Sequence, residues 1–437
     1  MALTELEKKV VEAIDKNAEK IIELGDKIYN NPELGYKEYE TAKTVEELFC
    51  ELGLDVKTNL ALTGVSGKTG KADGVNVAIL GELDGIYSPN HPHANKETGA
   101  VHACGHHSQL ACMLGAAIGI VNSGVMENLG GAVTFMAVPA EEFQDLDYRR
   151  KIIKEGKVKF IGGKQQLIHD GVFDDIDMAM MVHAQPDTPM AEASVHGKNL
   201  GFVEKEITFK GKASHASEPW GGVNALNAAA LAILGIHSNR EHFKEEDKVR
   251  IHPIITKGGD AVNIVPSEVT IDTYVRASNV EAMQNAAEDT DRSVFGAAQM
   301  VGAKAQIKTI AGFLPLKQDY QLGEIFKEYA KEFIPAEHVR EDIDPVGSTD
   351  MGDLSAIMPV IQPTIGGFTG ALHSNDFCTA DKMAAYVTPA KIMALTAVRL
   401  LVNDCEEGKR IKQQFKADMT KEEYLDMIKK TEKVEEK

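Results

Sequence analysis

Apolar residues recur along this chain with two different periods, and the pattern changes twice. Leu6, Val10, Val11, Ile14, Ile21, Ile22 and Leu24 share one helical stripe. That stripe predicts an amphipathic helix over residues 4–30, stopped by Asn31-Pro32. A second helix is expected from Glu38 to Leu52. The run VNVAILG reads as a buried strand from Val75 to Gly81, followed by a loop that carries Glu82 and Asp84. The Ala-rich stretch Gln109–Val121 reads as a buried helix opening just after His107. GAVTFMAV, ending at Pro139, and Met178–Val182 read as two further buried strands. Apolar strands that alternate with helices predict an α/β core built on a mostly parallel sheet.

Near Gly201 the period changes. In VEKEITFKG the apolar Val203, Ile207 and Phe209 alternate with charged or polar residues, so one face of this strand is expected to be wet. A helix from Val223 to Ser238 follows, then strands at Val249–Thr256 and Glu268–Val275. A helix at Val280–Met300 and a strand at Lys304–Ile310 complete the run. The order β-α-β-β-α-β matches the ferredoxin-like unit. The α/β pattern resumes near Leu314. The expected division is therefore a catalytic domain of residues 1–198 plus 312–437, with an inserted α+β domain of residues 199–311. The Lys/Glu-rich tail after Cys405 is expected to be an exposed helix that frays at its end.

Composition narrows the function classes. At 437 residues the chain is long enough for two domains. The formal net charge of −19 argues against non-specific nucleic-acid binding, which needs a basic surface. No uninterrupted apolar run of 18 residues is present, so no membrane helix is expected. The opening MALTELEKKVVEAIDKNAEK lacks the apolar centre of a signal peptide. Cys50, Cys104, Cys112, Cys378 and Cys405 are scattered and odd in number. That spacing argues against a disulfide framework and points to a reducing cytoplasm.

Candidate chemistry concentrates at predicted strand ends, where open α/β sheets bind ligands. Cys104-Gly-His106 places a thiolate and an imidazole two residues apart. Glu141-Glu142 follows a strand and can divide metal binding from proton transfer. His183 in MVHAQP and His373 in ALHSNDF add two imidazoles. Sulfur, nitrogen and oxygen donors of this kind suit zinc or a similar divalent ion. Taken singly, each has a blander reading. A lone cysteine is more often a small buried hydrophobe, a Glu-Glu pair is usually solvated, and a lone histidine is usually a satisfied one. His102 and His107 flank the Cys-Gly-His run as alternative ligands. His91 and His93 form either a separate weak site or an exposed loop. GGDAVNIVP lacks the Lys-Ser/Thr of a phosphate loop.

The ordered set of motifs resembles a known family. HACGHHSQLACMLGAA, AVPAEE, GGKQQLIHDGVFDDIDMAMMVHAQ, FKGKASHASEPWGGVNALNAA, KGGDAVNIVPSEV, GSTDMGDLS and ALHSNDF follow one another as in the two-metal aminoacylase/carboxypeptidase metallopeptidases. The likeness covers nearly the whole chain. It is to the amidohydrolase branch, with hippurate, indole-acetyl-amino-acid and aminobenzoyl-glutamate hydrolases. GSTDMGDLS and DMAMMVHAQ are most similar to the aminobenzoyl-glutamate and basic-dipeptide hydrolase side of that branch.

The resemblance implies roles. Cys104 would bridge two divalent ions, with zinc or manganese expected and cobalt or nickel possible. His106, Glu142, His183 and His373 would complete the two shells. Glu141 would be the general acid/base, and Asp84 would stand behind the ligands. His215, in ASHAS, would reach a substrate oxygen from the inserted domain across a homodimer interface. Asn263 and Arg276 would grip a substrate carboxylate. The implied substrate is a small N-acyl amino acid or dipeptide. Two features depart from the family pattern. His107 stands where Asp or Asn is usual, and residues 144–161 look like an insertion. Two rival readings remain open at this stage, a non-catalytic binding protein on the same scaffold and an amidase that uses Cys104 as nucleophile.

Overall fold

A computed structural model describes residues 3–341 and 347–437. The fold separates into two compact units. The first comprises Met1–Gly197, Lys317–Pro345 and Leu354–Asp418, and the second comprises Lys198–Leu316, Val346–Asp353 and Met419–Lys437.

The first unit is built on a six-stranded sheet. Its order is Asp55–Leu60, Gly64–Gly70, Ala132–Val138, Asn76–Glu82, Met178–Met180 and Val360–Ile361. The four strands from Ala132–Val138 onward run parallel, whereas the first two pair antiparallel. The sheet is therefore mixed, and parallel where the site residues follow it. Asn76–Glu82 and Ala132–Val138 are buried at every position, as continuous apolar runs between covered faces should be.

The helix His106–Asn122 is buried at every residue from 106 to 120. It begins at Gly105, whose φ of 87° is left-handed and whose added Cβ would sit 2.6 Å from Ala184 Cβ. Only glycine meets both conditions between Cys104 and His106. The helix expected over residues 4–30 is two helices, Glu5–Lys16 and Ala18–Tyr29, because Asn17 leaves helical geometry. Residues Met383–Gln414 are long and apolar enough to cross a membrane by length and composition, but 78% of the qualifying window is buried in this fold. Val402–Cys405 also break the helical backbone within that span. It is a core element of the first unit.

The second unit carries a five-stranded antiparallel sheet in the order Arg250–Lys257, Glu268–Ala277, Gly201–Lys210, Lys304–Ala311 and Lys433–Glu436. With the helices Ala225–Ser238 and Val280–Val301, the first four strands reproduce the ferredoxin-like arrangement expected from the periodicity. Two expectations need correction. The strand Gly201–Lys210 is buried along nearly its whole length. Lys205, on the apolar parity, is 1% exposed, with its ammonium 2.6 Å from Asp291 Oδ1 and 3.1 Å from Thr309 Oγ1. A buried ammonium is tolerable only with such partners. The tail does not fray. Thr420 and Glu423 form a capping box for the helix Lys421–Thr431. Tyr424 and Ile428 are buried, and Lys433–Glu436 adds a strand to Lys304–Ala311. Satisfying an open sheet edge gives the charged tail a place that its composition did not suggest.

Candidate metal centre

The site residues of the first unit leave the sheet at the carboxyl ends of parallel strands. Glu82 ends one strand and Asp84 lies two residues on. Glu141 and Glu142 follow Ala132–Val138 after Pro139 and Ala140. His183 lies three residues beyond Met178–Met180, Cys104 and His106 frame the start of the buried helix, and His373 comes from a later loop, with its backbone N–H donated to Ala103 O at 2.8 Å. His373 adopts a φ of 65°.

Two groups of donors form around one sulfur. Ligand atoms of Cys104, His106 and His183 lie within 4.8 Å of one another, and so do those of Cys104, Glu142 and His373. Cys104 Sγ is 3.5 Å from His183 Nε2, and His373 Nε2 is 3.4 Å from Glu142 Oε1. The rings are aimed from behind. His106 Nδ1 meets the Asp84 carbonyl at 2.8 Å and His183 Nδ1 meets the Ala184 carbonyl at 3.1 Å. Each Nδ1–H is thereby engaged, which leaves Nε2 as the lone-pair donor. His106 Nε2 is buried without a hydrogen-bond partner, and Glu142 Oε1 has only the 3.4 Å approach of His373. An orphaned polar atom in a buried S/N/O cluster needs an explanation, and a pair of divalent cations sharing the thiolate fits the donor set.

Electrostatics agree with that reading. Burial and Glu142 push the Cys104 thiol up, but the imidazoles of His106 and His183 outweigh them and bring it down to about 6. Burial raises the Glu142 carboxyl, yet its bond to His373 wins and holds it at about 2. His373 is pushed up to about 11 by hydrogen bonds to Cys104 and Glu142. Anionic ligands therefore hold protons on imidazoles that a metal ion would displace.

Asp84 is fully buried. Its carboxylate accepts the backbone N–H groups of Glu141 at 3.2 Å and Glu142 at 3.0 Å. Glu141 Oε2 lies 3.9 Å from His106 Nε2. Glu82, which sequence reasoning noted without assigning a role, is a centre of the site. Its carboxylate takes Lys164 Nζ at 2.7 Å and Gln109 Nε2 at 2.9 Å, and lies 3.0 Å from His106 Nε2 without hydrogen-bond alignment. Burial raises its pKa, but Lys164 and His106 more than compensate and keep it ionised. Gln109 carried a signal, since it follows His106 by three residues on one helix face. Lys164 carried none, because its partner is 82 residues away.

The alternative ligands lie elsewhere. His107 Nε2 meets Thr379 Oγ1 at 2.9 Å, and its ring packs 4.8 Å from Tyr29 and 5.5 Å from His102. His91 is buried, with Nε2 3.3 Å from the Phe377 carbonyl, so its segment is not simply an exposed loop. Neither these residues nor His93 joins a three-donor group among the described residues.

The other expected site residues belong to the second unit. His215 is exposed, with Nδ1 2.6 Å from Ser217 Oγ, and its backbone bridges to Ile264. Asn263, also exposed, accepts the Ala216 N–H, so the two loops lie side by side. Arg276 packs between the rings of Phe202 and Tyr274, each 5.2 Å away, and donates to Ser348 Oγ. Among the described residues no carboxylate lies within ion-pair distance of it.

Comparison with known proteins adds to this geometry. Residues 198–294 match the peptidase dimerisation domain. Xaa-Arg dipeptidase of Mus musculus is 28% identical over 447 residues, covering 96% of this chain and 94% of the relative. N-acetylcysteine deacetylase of Bacillus subtilis is 28% identical over 309 residues, covering 69% of this chain and 76% of its own length. The chain is thus similar, over nearly its whole length, to a dipeptidase and, over 69% of it, to a deacetylase, and it carries a match to the peptidase dimerisation domain. The fold is shared with a Bacillus subtilis protein described as a dinuclear metal binding peptidase of the M20 family, at a TM-score of 0.68 and 23% identity, over 87% of this chain and 98% of that one.

Proposed function

We propose that this protein hydrolyses the amide bond of an N-acyl amino acid or dipeptide and releases a free amino acid. The observation that carries the reading is Cys104 shared between two three-residue donor groups, with Glu141 beside them. Cys104, His106 and His183 would hold one divalent ion, and Cys104, Glu142 and His373 a second. Bound there, the ions supply Lewis acidity that polarises the amide carbonyl and acidifies water. Glu141 takes the proton of the attacking water and hands it to the leaving nitrogen. Asp84 holds the Glu141 and Glu142 backbones and the His106 ring, so that proton moves over a fixed path. Zinc or manganese is the expected ion, in a reducing cytoplasm that keeps all five unpaired cysteines as thiols.

His215 donates to the developing oxyanion from the inserted domain of a second subunit. The homodimer is supported by the match to the dimerisation domain and by large apolar side chains left exposed on the second unit. On the edge strand Arg250–Lys257, Ile254 is 51% exposed, and on the helix Ala225–Ser238, Leu234 is 64% exposed. Arg276, with Asn263, takes the substrate carboxylate. Its guanidinium is pre-oriented by two aromatic rings and, among the described residues, has no carboxylate within ion-pair distance.

The Xaa-Arg dipeptidase and N-acetylcysteine deacetylase relatives motivate the test panel. Metal-reconstituted protein is assayed for amine release against dipeptides with basic, acidic and neutral C-terminal residues and against N-acetyl amino acids. Release that a chelator stops and added metal restores is expected. Turnover that persists under chelation would instead favour Cys104 as a nucleophile, and binding without turnover across the panel a non-catalytic protein.

A further inference from the structure

The segment that looks like an insertion, residues 144–161, reaches the centre of the site through one side chain. Its helix Leu146–Lys154 places Arg149 at 1% exposure. The guanidinium donates from Nη1 to the carbonyls of Ile161 at 2.9 Å and Ala140 at 3.3 Å, and from Nη2 to the carbonyl of Glu142. Nη2 is also 4.0 Å from Asp84 Oδ2. Two of those three carbonyls flank Glu141. A buried guanidinium that directs its donors to backbone carbonyls, rather than to a bidentate carboxylate, fixes a chain path.

That path needs fixing. Ala140 has a φ of 55°, a left-handed conformation that disfavours a residue with a Cβ. Glu38 holds the turn from the opposite side. Its Oε1 accepts the Ala140 N–H at 2.8 Å and its Oε2 accepts the Thr63 hydroxyl at 2.6 Å. Asp84 takes the next two N–H groups. The direction of the Glu141 and Glu142 side chains is therefore held by three buried charged residues, and of these only Arg149 reaches the carbonyl side of the turn, where the Gly163 and Gln144 N–H groups also donate to Ala140 and Glu142.

We propose that Arg149 is a positioning residue for the hydrolytic reaction. The segment 144–161 supplies a clamp that holds the Ala140–Glu142 turn so that the proton-transfer carboxylate of Glu141 and the ligand carboxylate of Glu142 keep their orientations. This inference rests on the roles given to those two glutamates under the proposed function. Lysine carries the same charge but cannot span three carbonyls with one planar fork.

The test is Arg149→Lys, read beside Glu141→Gln. For Arg149→Lys, kcat per folded molecule falls ~10–100-fold with KM nearly constant, as displacement of a reacting group predicts. Zinc affinity, measured by chelator competition without any turnover, weakens ~10–100-fold, as for loss of a residue that orients a ligand. A lower melting temperature with unchanged kcat and unchanged zinc affinity would overturn the proposal, because a merely structural arginine moves stability alone. Gly35→Ala gives a second perturbation should the lysine variant fail to fold. Its Cβ would lie 2.2 Å from Arg149 Nη2 and 3.0 Å from Ala140 Cα. It is expected to lower kcat and zinc affinity in the same direction, and unchanged values there would also overturn the clamp. If Glu141→Gln keeps full turnover, the assigned base is wrong, while the zinc affinity of the arginine variant still decides the clamp.

Discussion

Two regions of this molecule carry chemically similar residues and treat them in opposite ways. In the first unit, His106 is 1% exposed and its ring is fixed from behind by a backbone carbonyl. In the second, His215 is exposed and leans only on Ser217, two residues along its own loop. The donor cluster is pre-organised down to the peptide groups of the Ala140–Glu142 turn. The paired loops of the second unit leave His215 and Asn263 facing solvent, and Arg276 stands among aromatic rings with no carboxylate partner among the described residues. The difference teaches where rigidity is needed. Ligands for a cation must be held against their own mutual repulsion before it arrives. Groups that meet a substrate can complete their environment when it binds, at the cost of ordering them then.

The largest way to test the contrast is Glu141→Gln. It keeps size, removes the base and leaves the Cys104, His106, Glu142, His183 and His373 donors in place. A kcat loss of at least ~10²-fold with unchanged metal content is expected. Near-normal turnover would remove the distinction between Glu141 and its neighbour.

Arg276→Lys tests the other region. A loss of ~10-fold or more in kcat/KM is expected for substrates with a free carboxylate, from the loss of a bidentate pair. The corresponding amides, already poor, lose little more. Equal losses for acid and amide would mean general destabilisation instead of recognition.

A smaller effect sharpens the second unit's architecture. Deleting Lys433–Lys437 removes the strand paired with Lys304–Ala311 and exposes that edge. A stability loss of roughly 1–3 kcal/mol is expected in denaturant melts followed for this unit, comparable to a few lost hydrogen bonds. An unchanged midpoint would make the strand ornamental.

The smallest concerns Glu38, which burial and the nearby Asp84 push up to about 7. A carboxyl whose folded pKa exceeds its unfolded value stabilises fully below the unfolded value and loses that contribution as pH rises through the folded one. Unfolding free energy should therefore fall between about pH 4.5 and pH 7, by at most ~3 kcal/mol from this group. Glu38→Gln, neutral throughout, should flatten that slope. Identical slopes for the two proteins would show that Glu38 does not titrate there.

Much of this was readable from local pattern, and the reason is physical. Strand and helix periods are set by burial of one face, so the buried strands Asn76–Glu82 and Ala132–Val138 and the ferredoxin-like run announced themselves. Cys104-Gly-His106 was visible because a turn that needs a left-handed residue must spell glycine between its two donors. By itself the sequence determined the two periods, their order along the chain, the sulfur, nitrogen and oxygen donors at strand ends, and the family resemblance. Only the tertiary structure decided which acids sit behind those donors. Glu82 became central by meeting Lys164, and Arg149 became a clamp by reaching Ala140 and Glu142 from a segment that reads as an insertion. The charged tail became a fifth strand for the same reason. A buried charge is stabilised by whatever partner the topology delivers, often scores of residues distant, and no local period encodes that distance.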